Sequence, residues 1–155
     1  MITALFPGSF DPVTKGHESI VKKALPMFDK IIVAIGENTM KKNSMFSLEQ
    51  RLQWLKDTFG NYDKVLIDSY SCLTTDYCKA KNVKYILRGL RDTADFQYEK
   101  NIADVNTMLD SEIETVFLLA DKQETNISSS VVREMLLFGK DVKEFIPKGV
   151  IIPHK

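Results

Sequence analysis

At 155 residues the chain is long enough for one domain with a substantial core and short for two. Hydrophobic residues make up 44% and charged residues 27%, the composition of a soluble globular chain. Lys+Arg and Asp+Glu balance at 21 each, which argues against a bulk nucleic-acid or anionic-membrane binder, since either needs a basic excess; a local cationic pocket stays compatible.

Five apolar runs rich in β-branched residues, at 2–6, 31–35, 65–68, 83–87 and 115–119, alternate with helical patterns. That alternation predicts a single α/β domain over residues 1–155, a parallel sheet with helices on both faces. The near-continuous apolarity of 31–35 and 116–119 suits strands covered on both sides. No internal repeat, low-complexity segment or linker interrupts the chain.

After the first strand comes Phe6-Pro7-Gly8-Ser9-Phe10-Asp11-Pro12-Val13-Thr14-Lys15-Gly16-His17. Pro7-Gly8 and Asp11-Pro12 break regular structure on either side of Ser9. Ile20, Val21, Ala24, Leu25 and Phe28 then mark an apolar helix face over residues 16–28, with Pro26 kinking or ending it. The stretch is thus a strand-to-helix turn. Gly16 lets a ligand approach the backbone, the helix start supplies free N–H groups and the positive end of its dipole, and His17 can add a donor. Each part suits an anion, foremost a phosphate. A Gly-His pair alone fits a plain βα turn equally well; the full string is far more specific.

Strand two ends at Gly36, and a polar loop over 37–46 holds Lys41 and Lys42. Ser47 with Gln50 reads as a capping box opening a second helix, with Leu48, Leu52, Leu55 and Phe59 as its buried face and Gly60-Asn61 as its stop. Trp54 reads as a packing residue. Strand three leads to a turn at 69–71 and a helix over 73–81 that Asn82 stops. Strand four leads into Arg88-Gly89-Leu90-Arg91-Asp92. Two arginines around a glycine at the carboxyl end of a parallel strand stand where ligands bind in open α/β sheets, and they offer forked donors for phosphate oxygens. The alternative is a surface loop with two solvated arginines. A long helix over 93–109 follows, with Phe96, Ile102 and Leu109 able to face the core and Glu99 and Asn106 on one side; Glu99 is close enough to the arginines for a ribose or arginine contact. Strand five leads to Ile127-Ser128-Ser129-Ser130-Val131-Val132-Arg133. One serine can cap the helix, and the run places several hydroxyl and N–H donors at one helix N-terminus, a second anion site that Arg133 can reach. In the tail, Phe145 and Ile146 can pack, and Pro153 argues against a long terminal helix.

The first residues lack the charged segment, apolar run and cleavage site of a secretory leader, and no apolar run is long enough to span a bilayer. Cys72 and Cys78 fit neither a CxxC motif nor a disulfide framework and read as reduced thiols. The expected location is the cytoplasm, with no nucleic-acid or membrane partner. No His, Cys, Asp and Glu cluster shows metal-ligand spacing.

Three segments, the 8–17 turn, Arg88-Gly89-Leu90-Arg91-Asp92-Thr93-Ala94-Asp95-Phe96-Gln97-Tyr98-Glu99, and 127–134, resemble in order and spacing the nucleotidyltransferases with a (T/H)xGH motif, here Thr14-Lys15-Gly16-His17. Among these the chain is most similar to the bacterial phosphopantetheine adenylyltransferases, over residues 2–147. The resemblance implies a doubly wound, Rossmann-like five-stranded sheet of order 3-2-1-4-5. It implies transfer of the adenylyl group of ATP to 4'-phosphopantetheine, with Mg²⁺ arriving with ATP, and a homohexamer. It implies that Ser9 and Phe10 contact ATP and the acceptor phosphate, that His17 touches the α-phosphate, and that Gly89, Leu90 and Arg91 lie along ATP. By the same likeness Glu99 contacts ATP, as does the second nucleotide loop of Glu124, Thr125, Asn126, Ile127, Ser128, Ser129 and Ser130. Lys41, Thr74 and Arg88 take the acceptor side; Lys42 adjoins Lys41, and the loop is one residue longer than the family's usual Lys-Lys-Pro-Met-Phe, so either lysine fits. His17, Lys41 and Arg91 would serve catalysis. Two other readings of the same motifs are a sibling transferase with another phosphorylated acceptor and a non-catalytic nucleotide or coenzyme A sensor.

Overall fold

A computed structural model describes residues 1–37, 40 and 43–153. In chain order the elements are β1 (Thr3–Gly8), α1 (Lys15–Ala24), β2 (Lys30–Gly36), α2 (Leu48–Phe59), β3 (Val65–Tyr70), α3 (Thr74–Lys81), β4 (Tyr85–Leu90), α4 (Thr93–Leu109), β5 (Glu114–Leu119) and α5 (Ser129–Leu137), with a short 3₁₀ turn at Lys122–Glu124. The five strands form one sheet in the order β3-β2-β1-β4-β5, and every pairing is parallel. The winding reverses between β1 and β4, so the turn after β1 and the end of β4 lie side by side.

Successive strand residues face opposite sides, and the core divides accordingly. Ala4, Phe6, Ile31, Val33 and Ile35 point into the larger cluster with α1, α2 and α5. Leu5, Ile32, Ala34 and Ile86 point into the smaller one with Tyr77 and Cys78 of α3. Burial raises the Cys78 thiol to about 11, so it is an inert packing group. Among the described residues no helix is long and apolar enough to cross a membrane.

Several boundaries differ from the sequence reading. Helix α1 ends at Ala24, one residue before its cap Leu25, and Phe28 lies beyond it in the core. Ser47 accepts the Gln50 N–H as expected, but the reciprocal capping box is found at α1 instead, between Thr14 and His17. Ser69 and Tyr70 extend β3 rather than turn, because they pair with Ile35 and Gly36 of β2. Arg88, Gly89 and Leu90 are strand residues, paired with Phe117, Leu118 and Leu119 of β5. Asn82 does stop α3, in the left-handed region at φ 55°. Helix α4 covers the expected residues, yet Phe96, Ile102 and Leu109 are 44%, 39% and 57% exposed; its one buried side chain is Glu99.

Helix α2 packs Trp54, Leu55 and Phe59 into the core, and Trp54 Nε1 donates to Ile151 O at 3.2 Å. The tail docks there through Val142, Ile146 and Val150, all buried.

Candidate functional site

Two clefts open at the carboxyl ends of the central strands and share Pro7, Gly8, Arg88 and Glu99. The first, of about 490 Å³, lies between the turn after β1, the end of β4 and the start of α5. The second, of about 570 Å³, runs from the same arginine between β3, α3 and α4.

The turn is folded tightly on itself. Phe10 sits at φ 46°, a conformation that costs a non-glycine residue about 1 kcal/mol or more. Its ring offsets that cost by burial, packing on Phe6 at 5.5 Å and His17 at 4.8 Å between centroids. The fold-back is tight at Gly8, where an added Cβ would meet the Phe10 ring at 3.0 Å and the ring would have to give by a few tenths of an ångström. Gly16 is different: a Cβ there would lie no closer than 3.4 Å to a neighbour, so the protein's own packing does not demand it. The Asp11 carboxylate, buried, accepts the N–H groups of Met45 and Phe46 at 2.8 and 3.0 Å and ties the end of the 37–46 loop to the turn.

His17 is the third residue of α1. Its Nδ1 accepts the Thr14 N–H at 3.0 Å, and its own N–H goes to Thr14 Oγ1 at 3.4 Å. A ring that accepts at Nδ1 carries its proton on Nε2, so Nε2–H is the donor left for the cleft. Burial, then the charges of Arg88 and Arg91, lower the ring's pKa to about 3. His17 is therefore a neutral hydrogen-bond donor at pH 7.

Arg88 and Glu99 form a forked pair: Nε to Oε2 at 2.8 Å and Nη2 to Oε1 at 2.6 Å. Nη1 donates to Pro7 O. Three of five N–H donors are thus used, and one on each terminal nitrogen is left for a ligand in either cleft. Of the ribose or arginine contact expected for Glu99, the structure shows the arginine: its carboxylate orients Arg88, and it lines the first cleft as well. Arg91 is held by Asp95, with Nε–Oδ2 at 3.1 Å. Gly89 lies so close to α1 that a Cβ would stand 2.8 Å from Ile20 Cγ1.

At the start of α5 each of the three hydroxyl groups has a partner in the protein. Ser128 caps the helix by accepting the Val131 N–H at 3.2 Å. Ser129 Oγ donates to Pro12 O at 2.7 Å. Ser130 Oγ accepts from Arg133 Nη2 at 3.1 Å. Ser128 and Ser130 only accept, so each keeps its O–H proton for an anion, beside the backbone N–H groups of the first helical turn and the dipole behind them; Ser129 alone spends its proton on the protein.

Of the residues expected at ATP, the first cleft brings together Ser9, Phe10, His17, Gly89, Arg91 and Glu99, and across from them Glu124 and Ile127 with the three serines. Leu90 is buried at the end of β4 and lines neither cleft, nor do Thr125, whose hydroxyl donates back to Asp121 O and Lys122 O, and the exposed Asn126. Thr74 lines the second cleft, where its hydroxyl meets Tyr70 Oη at 2.9 Å. Lys41 and Lys42 lie outside the described residues.

Sequence reasoning missed Arg51, which is 4% exposed and donates to Ser9 O, Phe46 O and Glu37. The signal was present: position 51 falls three after Leu48 and four before Leu55, on the buried face of α2, where an unpaired charge would be costly.

A family model described as cytidylyltransferase-like matches residues 5–135. The phosphopantetheine adenylyltransferase of Phocaeicola vulgatus is 45% identical over 98% of this chain and 99% of its own. That of Flavobacterium psychrophilum is 49% identical over 97% of this chain and 98% of its own. Among solved structures, a bifunctional NMN adenylyltransferase/ADP ribose pyrophosphatase from Francisella tularensis superposes with a TM-score of 0.71 at 21% identity, over 94% of this chain. This chain spans 44% of that protein, and the likeness is one of fold.

Proposed function

This chain belongs to the cytidylyltransferase-like family and, within it, to the phosphopantetheine adenylyltransferases, and from that premise we propose how its two clefts divide the work. The enzyme transfers the adenylyl group of ATP to 4'-phosphopantetheine, giving dephospho-coenzyme A and pyrophosphate, a step of coenzyme A synthesis. The observation that carries the division is the Arg88–Glu99 pair standing in the wall common to both clefts. The cleft with two helix N-termini, His17 and Arg91 suits the polyphosphate. The other, with Leu73, Ile86, Ile102 and Ala103 beside the Thr74 hydroxyl, suits an uncharged arm with amide groups and ends at Arg88, where the acceptor phosphate would sit.

The chemistry asks little of a base. A phosphate monoester has its second pKa at about 6, so the attacking oxygen is already ionised near neutral pH. The obstacle is repulsion between two polyanions and the cost of aligning them, and the arrangement answers with positioning and fixed donors. The free N–H groups of Arg88 hold the acceptor phosphate. The Nε2–H of His17, a neutral donor, is aimed at the α-phosphate, where charge shifts as the bond to pyrophosphate breaks. Arg91 and the first turn of α5 hold the leaving phosphates. Lys41 or Lys42 would add a cation from the 37–46 loop. Mg²⁺ would arrive with the nucleotide and would supply charge neutralisation, held mostly by phosphate oxygens and water; of the carboxylates in this cleft, Glu99 and Asp95 are paired with Arg88 and Arg91, which leaves Glu124 as the one that could face it.

The same family membership supports a cytoplasmic homohexamer, and α4 offers contact surface in Tyr98, Val105, Met108 and Leu109, all exposed. Light scattering reads the assembly. For the reaction, pyrophosphate release from ATP should require 4'-phosphopantetheine. Release with nicotinate mononucleotide or glycerol phosphate instead would overturn the substrate assignment, and ATP binding without release would leave a sensor.

A further inference from the structure

The backbone of the turn is gripped from several sides. Arg88 Nη1 takes Pro7 O, Arg133 Nη1 takes Asp11 O at 2.9 Å, and Ser129 Oγ takes Pro12 O at 2.7 Å. These three side chains line the nucleotide cleft. Arg51 does not: it reaches the turn from α2, and its Nη1 takes Ser9 O at 2.9 Å. The Ser9–Phe10 peptide is trans. In a planar trans peptide the carbonyl and the following N–H point in opposite directions. Holding Ser9 O against buried Arg51 therefore turns the Phe10 N–H to the other side, the side of the cleft that Ser9 and Phe10 line. That N–H has no hydrogen-bond partner among the described residues.

We propose that Arg51 is a positioning residue that presents the Phe10 N–H to a phosphate group of the nucleotide. The inference rests on the nucleotide reading of the first cleft. Arg51 does not touch the ligand; it fixes a peptide plane. The fork geometry of arginine is needed, since one guanidinium spans three acceptors: Ser9 O, Phe46 O at 3.1 Å and Glu37 Oε1 at 2.7 Å. Glu37 and the two carbonyls offset the cost of burying the cation. The left-handed φ of Phe10 follows from the same constraint, because its ring must reach the core while its N–H faces outward.

The test uses Arg51→Lys, which keeps the charge and can reach Glu37 but cannot bond all three acceptors. ATP is the probe, and the amide proton of Phe10 in ¹⁵N-labelled protein is the reporter. In the parent protein that proton should move downfield on adding Mg-ATP. In Arg51→Lys the shift should shrink, kcat/KM for ATP should fall about 10- to 100-fold, and the acceptor KM should change far less. Phe59→Leu, a core variant two turns further along the same helix, controls for stability: it should lower Tm and leave the amide shift and the ATP kinetics as they were. An unmoved Phe10 amide in the parent, or an Arg51→Lys enzyme with parental ATP kinetics, overturns the proposal, as does an equal loss in Phe59→Leu. If the amide moves with ATP but 4'-phosphopantetheine is not adenylylated, the functional reading fails and the positioning role stands.

Discussion

Lowering the pH from 7.5 to 5.5 should destabilise the unliganded protein through one side chain. His17 has an ordinary value of 6.5 in the unfolded chain and about 3 in the fold. Between those values the unfolded state binds a proton that the native state refuses, so stability is intact above pH 6.5 and falls as pH drops toward 3. At pH 5.5, one unit below the unfolded value, the loss is about 1.4 kcal/mol. For a chain of this size that lowers Tm by about 3–5 °C. The ordinary carboxyl value of about 4 lies below this window, and the only other histidine is His154. Urea unfolding at the two pH values, on the parent and on His17→Gln, isolates the effect: the slope with pH should flatten in the variant. ATP should oppose it, since phosphates beside the ring favour its charged form. A ring proton of His17 that titrates near 6.5 in the free protein, or a pH slope unchanged in His17→Gln, would refute the account of a ring desolvated between two arginines and donating in its neutral form.

Gly89→Ala should lose about 1–3 kcal/mol, because the new Cβ meets Ile20 Cγ1 at 2.8 Å. Ile20→Ala should cost less in that background than in the parent, because it removes the clash, read as non-additive Tm changes. Arg88→Ala should cost about 3 kcal/mol by leaving the Glu99 carboxylate buried without its partner, and should raise the acceptor KM more than the ATP KM. Adding Glu99→Gln should restore stability in chemical denaturation but not activity; joint recovery would contradict a ligand-holding role for Arg88.

Local chemistry was readable where a few neighbouring residues decide the outcome. Asn82 stops its helix because asparagine tolerates φ 55°, and the serines start α5 because one of them caps it. The three motifs were likewise legible as strings, and the sheet order that brings them together came from the family likeness, since periodicity carries no pairing information. What escaped depends on distant partners. Arg88 reads as a loop residue until pairing with Phe117 makes it strand. The face of α4 was correctly seen as one side, but periodicity says which residues share a side and not whether anything covers it; Phe96 and Leu109 are left exposed. That the Ser129 hydroxyl is spent on the protein was hidden because its acceptor, Pro12 O, lies 117 residues away. Arg51 was hidden because its acceptors lie on two other segments, Ser9 in the turn after β1, 42 residues away, and Glu37 and Phe46 at the two ends of the 37–46 loop, 14 and 5 residues away.

The docked tail has a practical consequence. The first N–H of α1, that of Lys15, goes to Phe145 O at 2.9 Å, and the Trp54 indole holds Ile151 O. A truncation placed before residue 145, or a purification tag that pulls this strap loose, would free a donor at the nucleotide turn and uncover the flank of α2 together. Assays on shortened or C-terminally fused protein would then report a handicapped enzyme even with every cleft residue intact.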